Sequence, residues 1–424
     1  MPGEMKTALS KSLVVALLAA CWGGPAKAAP SLVADLVTGE VIAQEEATRA
    51  WYPASLTKLM TAYVALNAVR EGRVTLDTPF VMSMRAARAA PSKMGFNPGT
   101  EVTLENALKM LMVKSANDIA VMIAEGISGS VEDFALEMNA SARRLGMTKS
   151  VFVNPNGLHD PRHVSSARDL AVLARALYKD FPEVADFYGI GALKLDDKII
   201  PTHNGLLGRY PGADGMKTGF VCASGFNVVG SALRDGRHLV VVVLGSPNAK
   251  LRTLKAADLF DKGFAAWHGQ RANLNNLPDM AGPAPNIRDQ ICGKGRANIQ
   301  EDDLAVLAPQ GSDKRALISG PRPLFEPVDV FVGRKDGWTG PVAQARAAPS
   351  AAALAALPAA GAIAYANASS IGATASQAIA IKSLPPKKVA IKKKQPVKKA
   401  LIKKTAAGPL TATPVASQSK AQTQ

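Results

Sequence analysis

Three short motifs stand in order along the 424 residues: Ser55-Leu56-Thr57-Lys58, Ser115-Ala116-Asn117 and Lys217-Thr218-Gly219. Together they supply a hydroxyl nucleophile, an amine to deprotonate it, a second hydroxyl beside an amide, and a cation next to a glycine. A serine attacks poorly at its own pKa and needs an adjacent base. Lysine serves as that base where burial or a second cation lowers its pKa toward neutrality. The chemistry on offer is acyl transfer through a serine ester. No motif is distinctive alone: Ser417 to Lys420 repeats the first pattern in the tail, and Ser246 to Asn248 repeats the second. An isolated serine at a helix start is ordinarily a cap. The information lies in order, spacing and the elements that carry the motifs.

Ser55 and Lys58, at i and i+3 on the opening turn of a helix expected over 55–70, share one face. Ser55 lies where the unpaired N–H groups of a helix start point. Ser115 and Asn117 open another helix, with Asp118 in its first turn. Lys217 to Gly219 follow a turn at 212–215 and enter a strand, where glycine often marks close approach by a ligand or another backbone.

Around these motifs, alternation predicts a hairpin over 30–44 about Thr38-Gly39. Helical spacing predicts helices over 104–112, 116–127, 131–145 and 167–177. Strands are expected over 216–221, 225–233 and 238–245, then a last helix over 251–267. Strands first, helices in the middle and strands last is an α+β arrangement. Its N- and C-terminal strands meet in one antiparallel sheet against a mid-chain helical cluster. Each motif then falls on one of three walls around a cleft, where small-molecule sites usually sit.

At this point the chain resembles the low-molecular-mass penicillin-binding proteins, the serine-type D-alanyl-D-alanine carboxypeptidases, over roughly 29–267. The likeness extends to Trp51-Tyr52-Pro53-Ala54 ahead of Ser55, Phe152-Val153-Asn154-Pro155-Asn156-Gly157-Leu158, Asp214-Gly215-Met216 ahead of Lys217, and Ser224-Gly225-Phe226-Asn227. It implies a β-lactamase/transpeptidase-like fold, no metal or other cofactor, and removal of the terminal D-alanine from peptidoglycan pentapeptide stems, with β-lactams as covalent inhibitors. It implies Ser55 as nucleophile, Lys58 as its base, kept neutral partly by Lys217, and Ser115 as proton relay to the departing D-alanine. Asn117 would hold the substrate amide, and Lys217 and Thr218 the terminal carboxylate. Gly219 and Phe220 complete the substrate-binding strand, and the N–H groups of Ser55 and Phe220 would form the oxyanion hole. Some relatives carry histidine where Phe220 stands. Arg252 reads as a surface arginine ahead of a carboxylate ligand.

A class A β-lactamase has similar motifs but uses a glutamate, in an E-x-x-L-N segment, to activate the deacylating water. None lies between Asn117 and Lys217, so slow release of a β-lactam adduct is expected. A DD-endopeptidase and a non-enzymatic wall-binding protein are the other readings. A zinc peptidase is disfavoured: Pro161 separates His159 from His163, and no H-E-x-x-H pattern occurs.

Residues 1–28 read as an export signal, with Lys6 and Lys11 ahead of an apolar run over 13–20 and Ala26-Lys27-Ala28 as the cleavage site. Leu18-Ala19-Ala20-Cys21 is the alternative, a lipidation site. Either route implies a periplasmic protein. Cys222 and Cys292 are then an even pair, as a disulfide or as two buried thiols. A catalytic domain is expected over 29–270, then a small β element or linker over 271–345, with strand-like runs at 304–307 and 328–332. Residues 346–424 are Ala/Pro/Lys-rich and expected to be disordered. Eleven lysines and no acidic residue lie from 347 onward, so of the net charge of +16 only about +5 belongs elsewhere. That tail reads either as a peripheral contact with an anionic membrane, at about 1 kcal/mol per lysine, or as solvated chain. Nucleic acid is not an expected partner of an exported protein.

Overall fold

The structure, a computed structural model, describes residues 29–266, 272–293 and 324–346. The leader with Cys21, the run at 304–307 and the lysine-rich tail lie outside the described residues.

Strands β1 (Ser31–Asp35) and β2 (Val41–Glu45) form the expected hairpin. Its turn is closed by Asp35 Oδ1, which accepts the N–H groups of Val37 and Thr38 at 2.9 and 2.8 Å. A 3-10 turn over Ala54–Leu56 runs directly into α1 (Thr57–Arg70). The helical part follows: β3 (Pro79–Val81), α2 (Met84–Ala87), β4 (Glu101–Thr103), α3 (Leu104–Val113), α4 (Asn117–Ser128), α5 (Val131–Arg144) and α6 (Ala167–Asp180). A second 3-10 segment, Pro182–Gly189, leads to the hairpin β5 (Ala192–Leu195) and β6 (Lys198–Pro201). Then come β7 (Ala213–Val221), β8 (Gly225–Arg234), β9 (Arg237–Ser246) and α7 (Ala249–Ala265). The two ends of this unit meet as anticipated, in an antiparallel sheet of order β2-β1-β9-β8-β7.

Strand β9 explains how the two layers close. Its run from Leu239 to Leu244 is fully buried, the pattern of a strand covered on both faces. Val240, Val242 and Leu244 belong to the core shared with the helical cluster. Leu239, Val241 and Val243 belong to a second core with Leu254 and Phe260 of α7. Helix α1 is buried from Thr57 to Ala68, so it is the central helix and presents no solvent stripe. Side-chain caps set the starts of its neighbours: Ser130 accepts from Asp133 N, Ser166 from Asp169 N, and Asn248 from Leu251 N. The Asn248 cap starts α7 two residues before the expected 251. Strand β7 likewise begins at Ala213, so the expected 212–215 turn shrinks to a register irregularity between Ala213 and Gly215.

The described parts of 271–345 run along this unit as straps. Val41 N donates to Ala272 O and Leu274 N to Gly39 O, at 3.0 and 2.9 Å, extending the N-terminal hairpin. Further on, α8 (Arg288–Cys292) is tied back by a Cys222–Cys292 disulfide with a Cα–Cα separation of 5.7 Å, which decides between the two cysteine readings. The second strap starts with β10 (Val328–Asp329), parallel to β5. It continues through Gly333 N to Glu101 O, Ala343 N to Pro79 O and Arg346 N to Gly129 O.

Candidate active site

The turn that carries Ser55 is shaped from three sides. Ala54 takes a left-handed φ of +50°, so the chain turns sharply just before the serine. Behind it, Asn227 of β8 donates from Nδ2 to Tyr52 O at 3.0 Å and accepts Gly245 N–H on Oδ1 at 2.9 Å, with no solvent exposure. Beside it runs β7. A Cβ on Gly219 would stand 3.0 Å from both Ser55 N and Pro53 O, so the strand can approach the turn only because this residue is glycine. Below it, the segment 154–158 closes on itself through Gly157 N to Asn154 Oδ1 at 2.7 Å and Leu158 N to Asn156 Oδ1 at 3.0 Å.

Lys58 lies at the centre with no solvent exposure. Its Nζ donates to Ser55 Oγ at 3.1 Å, Asn117 Oδ1 at 2.7 Å and Asn156 O at 2.7 Å. All three acceptors are neutral. Burial, and secondly the nearby Lys217 charge, hold its pKa well below the ordinary lysine value, against a smaller opposite effect of Asp118. A buried ammonium with only neutral oxygens around it favours release of its proton. The Asp118 carboxylate is itself engaged by the N–H groups of Met94, Gly95 and Ile119.

Asn117 opens α4 and is fixed at both ends, donating from Nδ2 to Ala90 O at 2.8 Å while Oδ1 faces Lys58. Ser115 is not the cap of α4, contrary to the ordinary reading of its motif. Ala116 occupies that position, and Ser115 has φ +59°. Its Oγ is buried with no hydrogen-bond partner among the described residues. Lys217 is buried on β7, donates to Thr218 O at 3.1 Å, and has its pKa lowered to about 7 by burial and by the charge of Arg252. Arg252 is thus no surface arginine: it is 5% exposed in the first turns of α7. Thr218 is buried, whereas Phe220 is 43% exposed and packs on Phe226 with ring centroids 4.3 Å apart.

Two further residues escape sequence reasoning. His163 is buried, accepts Val153 N–H on Nδ1 at 3.2 Å and meets Thr57 Oγ1 through Nε2 at 2.8 Å. The first bond puts the proton on Nε2, which donates to Thr57. Burial lowers this imidazole to about 3, so it stays neutral as a brace between α1 and the 154–158 turn. His159 instead stacks edge-on with Tyr52, centroids 4.8 Å apart, so the two histidines serve separate contacts. The Asn156 carbonyl is the other: a main-chain acceptor carries no residue signature, and the Asn-Pro-Asn-Gly composition signals only a turn.

The family model described as D-alanyl-D-alanine carboxypeptidase matches residues 24–248. D-alanyl-D-alanine carboxypeptidase DacF of Bacillus subtilis is 33% identical over 318 residues, covering 71% of this chain and 79% of that protein. DacC of Escherichia coli is 32% identical, covering 66% and 76%. Penicillin binding protein 5 of Haemophilus influenzae superposes with a TM-score of 0.55 at 33% identity, over 56% of this chain and 71% of that one. Penicillin-Binding Protein D2 of Listeria monocytogenes in its cefotaxime-bound form matches with a TM-score of 0.51 at 29% identity, over 56% and 97%. With more than half of its length matched by the model, and with a buried lysine bonded to a serine on a sheet-edged turn, the chain belongs to the D-alanyl-D-alanine carboxypeptidase family of serine peptidases.

Proposed function

We propose that this protein removes the terminal D-alanine from peptidoglycan pentapeptide stems through an ester on Ser55. The observation that carries the residue assignment is the fully buried Lys58 Nζ, 3.1 Å from Ser55 Oγ, with a pKa well below the ordinary lysine value. Ser55 Oγ attacks the carbonyl carbon of the penultimate D-alanine, and its proton passes to neutral Lys58. The carbonyl electrons move onto oxygen between the N–H groups of Ser55 and Phe220, an arrangement worth about 10²–10³ in rate per donor where it has been removed elsewhere. Collapse breaks the C–N bond as the proton held by Lys58 is relayed through Ser115 Oγ to the departing amine, which leaves Lys58 neutral. Water then attacks the ester carbonyl, giving a proton to Lys58, and Lys58 returns that proton to Ser55 Oγ as the ester C–O bond breaks. Asn117 orients the substrate amide, and Lys217 and Thr218 receive the terminal carboxylate. With Lys217 lowered to about 7, an arriving carboxylate draws the proton back onto Nζ.

β-Lactams acylate the same serine and leave slowly, since the oxygens hydrogen-bonded to Lys58 come from Ser55, Asn117 and Asn156 and, among the described residues, no glutamate stands with them to activate a deacylating water. The protein works in the periplasm. The Cys222–Cys292 disulfide supports an oxidising compartment, and the leader-like residues 1–28 support export. The lysine-rich tail adds a peripheral membrane contact, tested by deleting 347–424 and fractionating cells. For the activity, D-alanine release from a pentapeptide is compared between wild type and Ser55→Ala, with intact mass measured after benzylpenicillin. Release by wild type alone, with one adduct that Ser55→Ala lacks, is expected. Equal release, or none from either, overturns the reading.

A further inference from the structure

The direction of β7 orders the subsites. If Lys217 and Thr218 take the terminal carboxylate and Phe220 N–H the scissile carbonyl, the acyl half of the substrate continues past Phe220. Extended backbone advances about 3.4 Å per residue. The stem residue before the D-alanyl-D-alanine therefore lies beside Val221 and Cys222, at the end of the strand.

That end of β7 has a wall of its own. The segment 284–292 crosses it, fixed at three points: Tyr52 OH to Ala284 O at 3.4 Å, Ile287 N to Ala223 O at 3.1 Å, and the Cys222–Cys292 bridge. Ile287 Cδ1 also lies 3.2 Å from where a Gly225 Cβ would be. The wall therefore joins the β7–β8 turn to Tyr52, whose ring meets His159 next to the 154–158 turn. Among the described residues, Asp160, Arg162, Arg288 and Asp289 carry charge on this rim. Asp160 and Arg162 are spent on each other at 2.7 Å. Helix α8 carries Asp289 and Arg288 one position apart, hence about 100° apart around its axis. Arg288 is exposed and makes no ion pair with a described residue. Its charge is felt at His159, whose pKa is lowered by burial and then by Arg288, which favours the neutral imidazole, so that among the described residues Arg288 is the unpaired cation on this side.

We propose that Arg288, held at the cleft rim by the Cys222–Cys292 bridge, is a specificity residue that binds a side-chain carboxylate on the stem residue preceding the D-alanyl-D-alanine. The assignment rests on the carboxypeptidase reading above and names its substrate class: stems whose residue before the D-alanyl-D-alanine ends in a free carboxylate, over stems in which that carboxylate is amidated. Arginine offers a planar pair of donors suited to such a group.

The test uses two N-acylated tripeptides, meso-diaminopimelyl-D-alanyl-D-alanine with the side-chain carboxylate free or amidated. Wild type should favour the free acid by about tenfold in kcat/KM, the effect of one charge-assisted hydrogen bond. Arg288→Gln should bring the ratio close to one, Arg288→Glu should invert it, and Cys222→Ser with Cys292→Ser should reduce it. Because each ratio is taken on one sample, partial misfolding cancels. A wild type without preference, or an Arg288→Gln that keeps it, overturns the proposal. No D-alanine release from either peptide by wild type overturns the carboxypeptidase reading, and this proposal with it.

Discussion

Gly157 stands against the main chain of Ala54: a Cβ built on it would lie 1.9 Å from the Ala54 carbonyl oxygen and 2.9 Å from Thr57 Oγ1. Its φ of +80° also belongs to the region side chains rarely adopt. The turn that offers the Asn156 carbonyl to Lys58 is thereby seated directly under the turn that carries Ser55. Gly157→Ala should lower stability by about 2 kcal/mol or more, from backbone strain and the steric conflict. Any folded fraction should be acylated by a fluorescent penicillin more than tenfold more slowly, since the strain is relieved by moving Asn156 or Ser55. Urea denaturation and stopped-flow acylation check both, and an unchanged acylation rate would remove the 154–158 turn from the site's support.

Asn227 holds the other side of the same turn. Replacing it with alanine leaves Tyr52 O and Gly245 N without their buried partner, at about 1–3 kcal/mol by the usual penalty for orphaned polar groups. Stability should fall by that amount, and acylation should slow because the segment before Ser55 loses its tether. The sensitive comparison is with Asn227→Asp, which keeps the Gly245 acceptor and loses the Tyr52 donor. It should stay damaged in acylation if the tether matters.

Lys217 gives the site a pH signature. Its pKa falls from 10.5 to about 7 on folding, so between these values the unfolded chain binds a proton that the folded protein has released. Stability from this group therefore rises with pH across that window, by at most about 1.4 kcal/mol per unit. It is lost as pH falls toward 7 and changes no further below. Lys217→Gln should flatten that slope in urea titrations at pH 7.5 and 9.5. Because the Lys217 charge is the second cause, after burial, of the lowered Lys58 pKa, the same variant should make Lys58 more basic and shift the acidic limb of acylation to higher pH. Loss of the carboxylate partner should also reduce kcat/KM on pentapeptide by roughly 30- to 100-fold.

The strap 324–346 contributes to stability through burial more than through charge. Val330 is 4% exposed, and the Phe325 ring covers Gly191. The ion pairs Arg334–Glu101 and Lys335–Asp77 are exposed on the arginine and lysine sides, and such pairs contribute roughly 0–1 kcal/mol. Ending the chain after 346 should leave the thermal midpoint within about 1 °C of full length, whereas ending it after 323 should lower it by several degrees. Arg334→Ala alone should shift it far less than the second truncation does.

The helices over 57–70, 117–128 and 167–180 and the strands β7 to β9 were legible because each carries its own signal, apolar spacing or alternation with turn residues between. The small hairpin β5–β6 and the pair β3–β4 were not. Strands of three or four residues hold too few side chains to show a period, and their partners are set by neighbours in space. Ser115 misled in part: its sequence setting is that of a cap, yet its φ of +59° leaves Ala116 as the cap and the hydroxyl free of that duty. Arg252 misled for a related reason. An arginine early in a helix reads as solvated, and only the packing of α7 on the sheet makes it the buried charge that, after burial itself, depresses Lys217.

By itself the sequence determined which groups could meet: a serine and lysine one helical turn apart, an amide at the head of another helix, and a lysine with a glycine two residues later in a strand. These are local facts, set by backbone geometry within a few residues. Tertiary structure decided what those groups became. It buried Lys58 among three neutral oxygens from positions 55, 117 and 156, and joined Cys222 to Cys292. It also brought a distant arginine to Lys217. Proton affinities depend on desolvation and on charges brought close by the whole fold, and no spacing along the chain encodes them.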